Sequence, residues 1–401
     1  MGVGDGSVLG VTKIVDHGSP AERWNLVLMG DGYQAGQMAQ YATDAQNFVG
    51  TLFATPPFNE SPQHCGPRLS RAINVYRLDV TSTDAGADDP AACGGTGATA
   101  ATYFDASFCN SGIRRLLEVN DATVISVANA QVSQWHMLMV LVNSTVYGGS
   151  GGAVATFSMA PSALEIGLHE MGHTAFGLAD EYEYYAGCGV DTDRDHYPGS
   201  EPSKPNITKD SDRNTIKWKD LIQSGTPMPT TANADCTKCD PQANPVAADT
   251  VGAFEGAGYY HCGLYRPQFD CRMRALNHDY CAVCRERIIS TLEPFLPPPT
   301  IFDILRCLEG RIADRLDRVI DRIDWVVDPS PIDRIRLGRV LEGRGDPAVR
   351  GRADALTDLL ARVDSMSTGE LRSALVRVKA DMARLEAAAR VLEAELNAKS
   401  K

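Results

Sequence analysis

The pentapeptide His169-Glu170-Met171-Gly172-His173 constrains this chain more than any other feature of its sequence. On a helix, residues four apart share one face, so both imidazoles can bind a single metal ion. Glu170 is offset from that face and can hold the metal's water. Ser162 and Glu165 have the spacing of a capping box that would start the helix. The sequence therefore predicts a helix with two zinc ligands and a general base, rather than two solvated histidines.

A third protein ligand is needed, because a catalytic zinc ion usually takes three and keeps the fourth position for water. Gly177 can end the helix in a left-handed conformation and turn the chain back toward the metal. Asp180, one residue further from the second histidine than the third ligand of metzincins, is the predicted ligand. Glu181 is the competing carboxylate. More distant alternatives are His196, His261 and His278.

The motif and its flanks resemble the signature of the IgA-peptidase-type zinc metallopeptidases. The similarity extends over about residues 10–290 and rests on four segments in the family's order: Leu28–Tyr33, Val142–Gly152, Gly167–Tyr182 and Phe254–Cys284. It implies an α/β, metzincin-like domain with a mixed sheet, an active-site helix and one catalytic Zn²⁺. It also implies that Met273 lies beneath the metal in a tight turn. Cleavage of immunoglobulin is not implied for this chain.

The same resemblance implies where the substrate cleft lies. The strand Met137–Val142 would border it, and the glycine-rich stretch that follows would form its rim. Gly149 and Gly151 are the predicted substrate contacts, because glycine lets an extended peptide approach and pair with a strand edge. An ordinary glycine loop is the alternative. Tyr265 and Tyr280 are candidate donors of a hydrogen bond to a developing oxyanion.

Apolar runs alternate with amphipathic stretches before residue 300, which predicts a mixed sheet backed by helices. The predicted strands are Asn25–Met29, Asn74–Val80, Val124–Val127 and Met137–Val142, and the first helix is Gln37–Phe53.

Three prolines, Pro297 to Pro299, predict a boundary between two domains. Residues 1–298 would form the zinc metallopeptidase catalytic domain, and residues 301–401 an all-α helical accessory domain. Apolar residues spaced four and three apart from Leu371 to Leu396 form a heptad seam. The accessory domain would either pack as a bundle on itself or self-associate through its last helix.

Ten of the eleven cysteines precede residue 300. An even set favours disulfides and an extracellular setting. Cys236–Cys239 and Cys281–Cys284 also have the spacing of a second, structural zinc site with four cysteines. Free thiols are the third possibility. Asp191, Asp193 and Asp195 are a candidate calcium site, although the glycine and glutamate of an EF-hand loop are absent.

The net charge of −13 comes from the first 300 residues, which carry −14, since residues 301–401 contain 19 Lys and Arg against 18 Asp and Glu. An acidic catalytic domain disfavours nucleic acid as a partner. No apolar run reaches the length of about eighteen residues that a membrane span needs. The first residues lack the features of a secretory signal, which leaves the compartment open between secreted and cytoplasmic.

These observations predict a zinc-dependent endopeptidase that acts on protein or peptide substrates. Two other functions are compatible with the sequence. One is a binding or adhesion module that keeps the metal for stability and is assembled by its helical tail. The other is a zinc amidohydrolase that acts on a non-protein amide. Glu170 favours catalysis, because a structural metal site has no need of an unliganded glutamate beside its water.

Overall fold

The computed structural model describes residues 2–63, 66–185 and 187–299. Its strands are β1 (Gly6–Val15), β2 (Trp24–Asp31), β3 (Ile73–Ser82), β4 (Met137–Val142), β5 (Gly149–Ser150), β6 (Ala155–Ser158), β7 (Phe254–Ala257) and β8 (Tyr260–Arg266). Its α-helices are α1 (Met38–Ala54), α2 (Asp121–Gln131), α3 (Ala163–Phe176) and α4 (Ala282–Leu292). The expected accessory domain with its heptad seam lies outside the described residues, as do Cys65 and Cys307.

Six strands form one mixed sheet in the order β1-β3-β2-β4-β6-β5. The central strand β2 pairs in parallel with β3 and β4, and β4 pairs in parallel with β6. The outer strands β1 and β5 run antiparallel to their neighbours. A separate hairpin contains β7 and β8. The predicted mixed α/β sheet is therefore confirmed.

Both faces of the sheet are covered, as the central strand shows. Every residue of β2 is buried. Leu26 and Leu28 pack in a cluster with residues of α1, α3 and α4, whereas Val27 and Met29 pack on the other face with residues of α2. Side chains of a strand alternate between its two faces, so this division places α3 firmly against one side of the sheet.

The predictions of the strands in β2, β3 and β4 and of helix α1 are confirmed. The predicted strand Val124–Val127 is wrong, because these residues belong to α2. The side chain of Asn120 caps this helix by accepting from the backbone N–H of Thr123 at 3.0 Å. Val124 and Ala128, four residues apart, are buried against the sheet. The cap and the buried face outweigh the strand preference of valine and isoleucine.

The expectation that β4 borders the cleft is also wrong. Strands β6 and β5 lie between β4 and the edge of the sheet, and every residue of β4 is buried. The edge beside α3 is the short strand β5 with the glycines that follow it. A run of six apolar residues indicates a strand buried on both faces, and such a strand belongs in the interior of a sheet.

Disulfides stabilise the irregular parts of the chain. They join Cys93 to Cys109, Cys188 to Cys239 and Cys236 to Cys262. The predicted four-cysteine zinc site is therefore wrong, because Cys236 and Cys239 are bonded to other cysteines. These three disulfides, all within the described residues, favour an oxidising, extracellular location. Within the described ranges, no helix has the length and apolar character that crossing a membrane requires.

Candidate active site

Helix α3 carries the histidine-glutamate motif, and its first turn differs from the prediction. Ser162 is the N-cap residue, but it has a φ of 70° and its side chain makes no capping hydrogen bond. A side-chain cap needs a backbone near the extended region, which Ser162 does not adopt. The predicted capping box is therefore wrong. Glu165 instead forms an ion pair with Arg272, next to Met273.

The end of α3 agrees with the prediction. Gly177 is left-handed with a φ of 65°. Its N–H donates to the carbonyl of His173 at 3.1 Å, and Leu178 donates to the carbonyl of Gly172 at 3.0 Å. These bonds are typical of a glycine C-cap. The chain reverses here, so Asp180 returns to the helix it has just left.

Three donor atoms converge beside this turn. The Nε2 atoms of His169 and His173 are 3.1 Å apart. Asp180 Oδ1 lies 3.0 Å from the first and 3.2 Å from the second. A tetrahedral ion with bonds of about 2.0–2.1 Å would separate its ligand atoms by about 3.3 Å. The spacing therefore suits a single ion of the size of zinc.

The second nitrogen of each ring determines which atom faces the centre. His169 Nδ1 lies 2.9 Å from the carbonyl oxygen of Arg272, and His173 Nδ1 lies 2.9 Å from that of Leu178. A carbonyl oxygen only accepts, so each Nδ1 donates and each neutral ring presents an Nε2 lone pair. Two lone pairs and a carboxylate oxygen at this distance require a positive charge between them, which a metal ion or a proton on one of the rings supplies. The donor set thus fits a metal ion.

The charges of these groups are strongly coupled. Burial lowers the pKa of His173, but the Asp180 carboxylate outweighs it and raises that pKa to about 9. Burial likewise acts to raise the pKa of Asp180, yet His173 and His169 hold it well below its usual range. The three side chains therefore favour a cation at their centre.

Glu170 lies beside these donor atoms, because one of its carboxylate oxygens is within 4.8 Å of a ring nitrogen of each histidine. It is buried, and its Oε1 would be 2.9 Å from a Cβ placed on Gly149. Burial raises the pKa of this carboxyl group. A raised pKa brings the group nearer to the operating pH of an enzyme and makes it a better proton acceptor.

Glu181, the competing carboxylate, points elsewhere. Its Oε1 accepts from the Asn206 side-chain amide at 2.8 Å and lies near the sulfur atoms of Cys281 and Cys284. Its own N–H donates to the carbonyl of Met273 at 2.7 Å. Asp180 and Glu181 therefore face different clusters, and only Asp180 approaches the histidines.

Met273 lies beneath α3, where the resemblance placed it. It is fully buried, and a Cβ on Gly172 would come within 2.5 Å of its sulfur atom. The backbone carbonyl of Arg272, the residue before Met273, accepts the hydrogen bond from His169 Nδ1. This turn thus supports the helix and orients one histidine at the same time.

The glycine-rich rim lies against the same helix. Gly149 donates to the carbonyl of Arg115 at 3.1 Å and accepts from the N–H of Leu117 at 3.4 Å. This edge position is already paired within the chain, so the expected pairing with substrate at Gly149 is not supported. Gly151 approaches His173 so closely that a Cβ there would lie 2.5 Å from the histidine Cβ. Both glycines line the cleft.

The cleft in front of α3 has a volume of about 930 Å³. Four tyrosines contribute to its lining: Tyr182, Tyr185, Tyr197 and Tyr259. Tyr265 is not among the described lining residues, and its backbone pairs with that of Thr208. The hydroxyl of Tyr280 is also engaged, since it donates to the carbonyl of Leu168.

Tyr259 is a site residue that the sequence pattern did not predict. It forms the tip of the β7–β8 hairpin together with Gly258, and both residues have positive φ, 71° and 56°. The tip is pinned to the chain after α3, because Gly258 donates to the Asp180 carbonyl and Tyr259 to the Tyr182 carbonyl, each at 3.0 Å. The Tyr259 hydroxyl donates to Asp180 Oδ2. This contact leaves Oδ1 directed at the histidines.

The remaining candidate ligands lie elsewhere. Within the described ranges, the cleft lining includes none of His196, His261 and His278. The alternating aspartates are also apart from the groups that could hold a metal ion. Asp191 instead accepts from the N–H of Asp193 at 3.1 Å and so stabilises its own loop.

A model of a known protein family matches most of the described residues. The IgA Peptidase M64 family model matches residues 12–242 and 242–292, which is more than half of the chain. The matched stretches contain every site residue described above. No curated protein matches the chain.

Proposed function

Because the chain belongs to the IgA peptidase M64 family, we propose that it is a zinc-dependent endopeptidase. The observation that carries this proposal is the convergence of His169 Nε2, His173 Nε2 and Asp180 Oδ1 beside the buried Glu170. We assign the two histidines and Asp180 as the ligands of the catalytic zinc ion.

The zinc ion would polarise the scissile carbonyl and lower the pKa of a water molecule. Glu170 accepts the proton of that water and delivers it to the leaving amine. Tyr259 holds the outer oxygen of Asp180 and is a positioning residue for this ligand. Met273 supplies an apolar floor beneath the helix, which keeps the histidines in place.

A peptide suits the cleft in size and character. Its volume of about 930 Å³ exceeds what a single amino acid needs. The lining combines four tyrosines with the glycine rim at Gly151, which suits an extended peptide backbone and its side chains. Family membership also favours a peptide bond over a non-protein amide. The buried Glu170 argues against a binding module, which would have no use for a base at the metal.

The test uses the full chain, loaded with zinc, and a degenerate library of fluorogenic peptides. We expect cleavage that stops on chelation and returns when zinc is added. A variant with both His169→Ala and His173→Ala should be folded but inactive. A folded, zinc-loaded protein that cleaves no peptide would overturn the proposal, as would equal cleavage by the double variant.

A further inference from the structure

A second cluster of ligand-type side chains lies behind the active-site turn. It contains Cys271, Cys281, Cys284 and Glu181, each no more than 3% exposed. Their ligand atoms all lie within 4.8 Å of one another. Within the described ranges, none of the three cysteines forms a disulfide. Neither the family match nor the peptidase chemistry accounts for this cluster.

The distances within the cluster are those of a four-coordinate metal site. The sulfur atoms of Cys271 and Cys284 are 3.8 Å apart. Glu181 Oε1 lies 3.6 Å from the sulfur of Cys281 and 3.3 Å from that of Cys284. A tetrahedral zinc ion with Zn–S bonds of about 2.3 Å would separate two sulfurs by about 3.8 Å, and a sulfur and an oxygen by about 3.5 Å.

Backbone donors point at the sulfur atoms. Cys271 Sγ receives the N–H of Met273 at 3.4 Å and that of Cys281 at 3.3 Å. Cys281 Sγ receives the N–H of Cys284 at 3.5 Å and caps the eleven-residue helix α4. Such donors, and the positive end of a helix, stabilise a thiolate over a thiol. Thiolates are the form in which cysteine binds a metal.

An unpaired oxygen supplies independent support. Glu181 Oε2 is buried and has no hydrogen-bond partner among the described residues, whereas Oε1 is bonded to Asn206. None of the described Lys, Arg or His side chains forms an ion pair with Glu181. A buried carboxylate oxygen without a partner is costly, and a bound cation would remove that cost.

We propose that Cys271, Cys281, Cys284 and Glu181 bind a second zinc ion. Four protein ligands close the coordination shell, so this ion would be structural rather than catalytic. Thiolate ligands in this geometry favour zinc over harder ions such as calcium. The site joins three segments: the residue after Asp180, the turn of Met273 and the start of α4. It would therefore fix the two parts of the chain that bring Asp180 and Met273 to the catalytic centre.

The first test is metal analysis of the full chain after zinc loading and removal of free metal. We expect about two zinc ions per chain in the native protein. The His169→Ala and His173→Ala double variant should keep about one, because it leaves the cysteine cluster intact. This measurement does not depend on peptide cleavage, so the second zinc site and the proposed peptidase activity can fail separately.

Cobalt substitution identifies the ligands. A cobalt ion at the cysteines gives a thiolate charge-transfer band in the near ultraviolet, whereas the histidine site contains no sulfur. The band should persist in the double histidine variant and disappear in Cys284→Ser. A double histidine variant without metal and without this band would overturn the proposal, whether or not Cys284→Ser folds. A disulfide between any two of the three cysteines, detected by peptide mapping after alkylation, would also overturn it.

Discussion

His169 and His173 owe their orientation to backbone carbonyls as much as to their spacing. One ring is held by Arg272 and the other by Leu178, and both contacts come from turns outside the helix. The histidines and Glu170 could be named from five consecutive residues, because a helix fixes their relation. The carbonyls that set the tautomers could not, since one depends on how the chain turns after α3 and the other belongs to Arg272, 103 residues after His169.

Tyr259→Phe should weaken zinc binding at the histidine site by on the order of tenfold, because it removes the hydrogen bond that orients Asp180. Tyr260→Phe is the matched control, since its hydroxyl contacts Arg194 rather than the site. Zinc competition titrations compare the two variants. Equal affinities would mean that Tyr259 does not position the ligand.

Asp180→Ala should weaken zinc binding at this site by more than about a hundredfold, because it deletes a direct ligand rather than a supporting contact. Asp193→Ala, at an exposed aspartate, is the control and should have no effect. The same titrations measure both. Undiminished affinity in the Asp180 variant would transfer the role of third ligand to another residue.

The sequence left Asp180 and Glu181 as alternatives for a physical reason. Both follow the glycine turn, and which of two adjacent side chains faces the helix depends on the backbone path after Gly177. That path is fixed by the hairpin tip at Gly258 and Tyr259, about eighty residues later in the chain. The spacing of residues near Asp180 cannot predict such a long-range contact.

At the scale of elements, the C-cap of α3 connects the helix to the third ligand. Gly177→Ala should destabilise the protein by about 1–2 kcal/mol, because alanine resists the left-handed conformation. Gly50→Ala is the matched control on an exposed part of α1, where no heavy atom lies within 4 Å of the added Cβ. It should stabilise by about 0.5–1 kcal/mol. Urea unfolding measures both, and effects of the same sign would contradict this account of the cap.

Helices and strands were predictable where the preference of the local residues agreed with their burial in the fold. β4 is apolar throughout, β2 has an apolar centre, and every residue of both strands is buried, so their type was clear from the sequence. The error at Val124–Val127 arose because three residues with high strand propensity, Val124, Ile125 and Val127, occupy a capped helix. The apolar run of β4 indicates an interior strand, but the strands that separate it from the edge of the sheet depend on the crossover connections, which this run does not encode.

At the scale of the whole molecule, the described residues already contain a complete candidate site. Every residue assigned to zinc, base or substrate cleft precedes Pro297, and the family match ends at residue 292. The division of the chain into residues 1–298 and 301–401 stays a prediction. It has a consequence for function, because all the assigned site residues lie in the first part. The second part would serve assembly or positioning rather than chemistry.

A chain that ends at Pro298 should cleave short peptides as fast as the full chain does. It should also have a smaller oligomeric mass if the heptad seam associates. Peptide assays test the first expectation and light scattering the second. A truncated protein that folds and binds zinc, yet cleaves none of the peptides cut by the full chain, would place part of the active site beyond residue 298.

The substitution Glu170→Gln tests the central claim most directly, because it keeps the shape of the side chain and removes only its capacity to accept a proton. Zinc content and peptide hydrolysis are measured on the same preparation. The account predicts that zinc at the histidine site is retained while turnover falls by about a hundred- to ten-thousandfold. Turnover like that of the native protein, or loss of the zinc together with activity, would contradict the assignment of Glu170 as the general base.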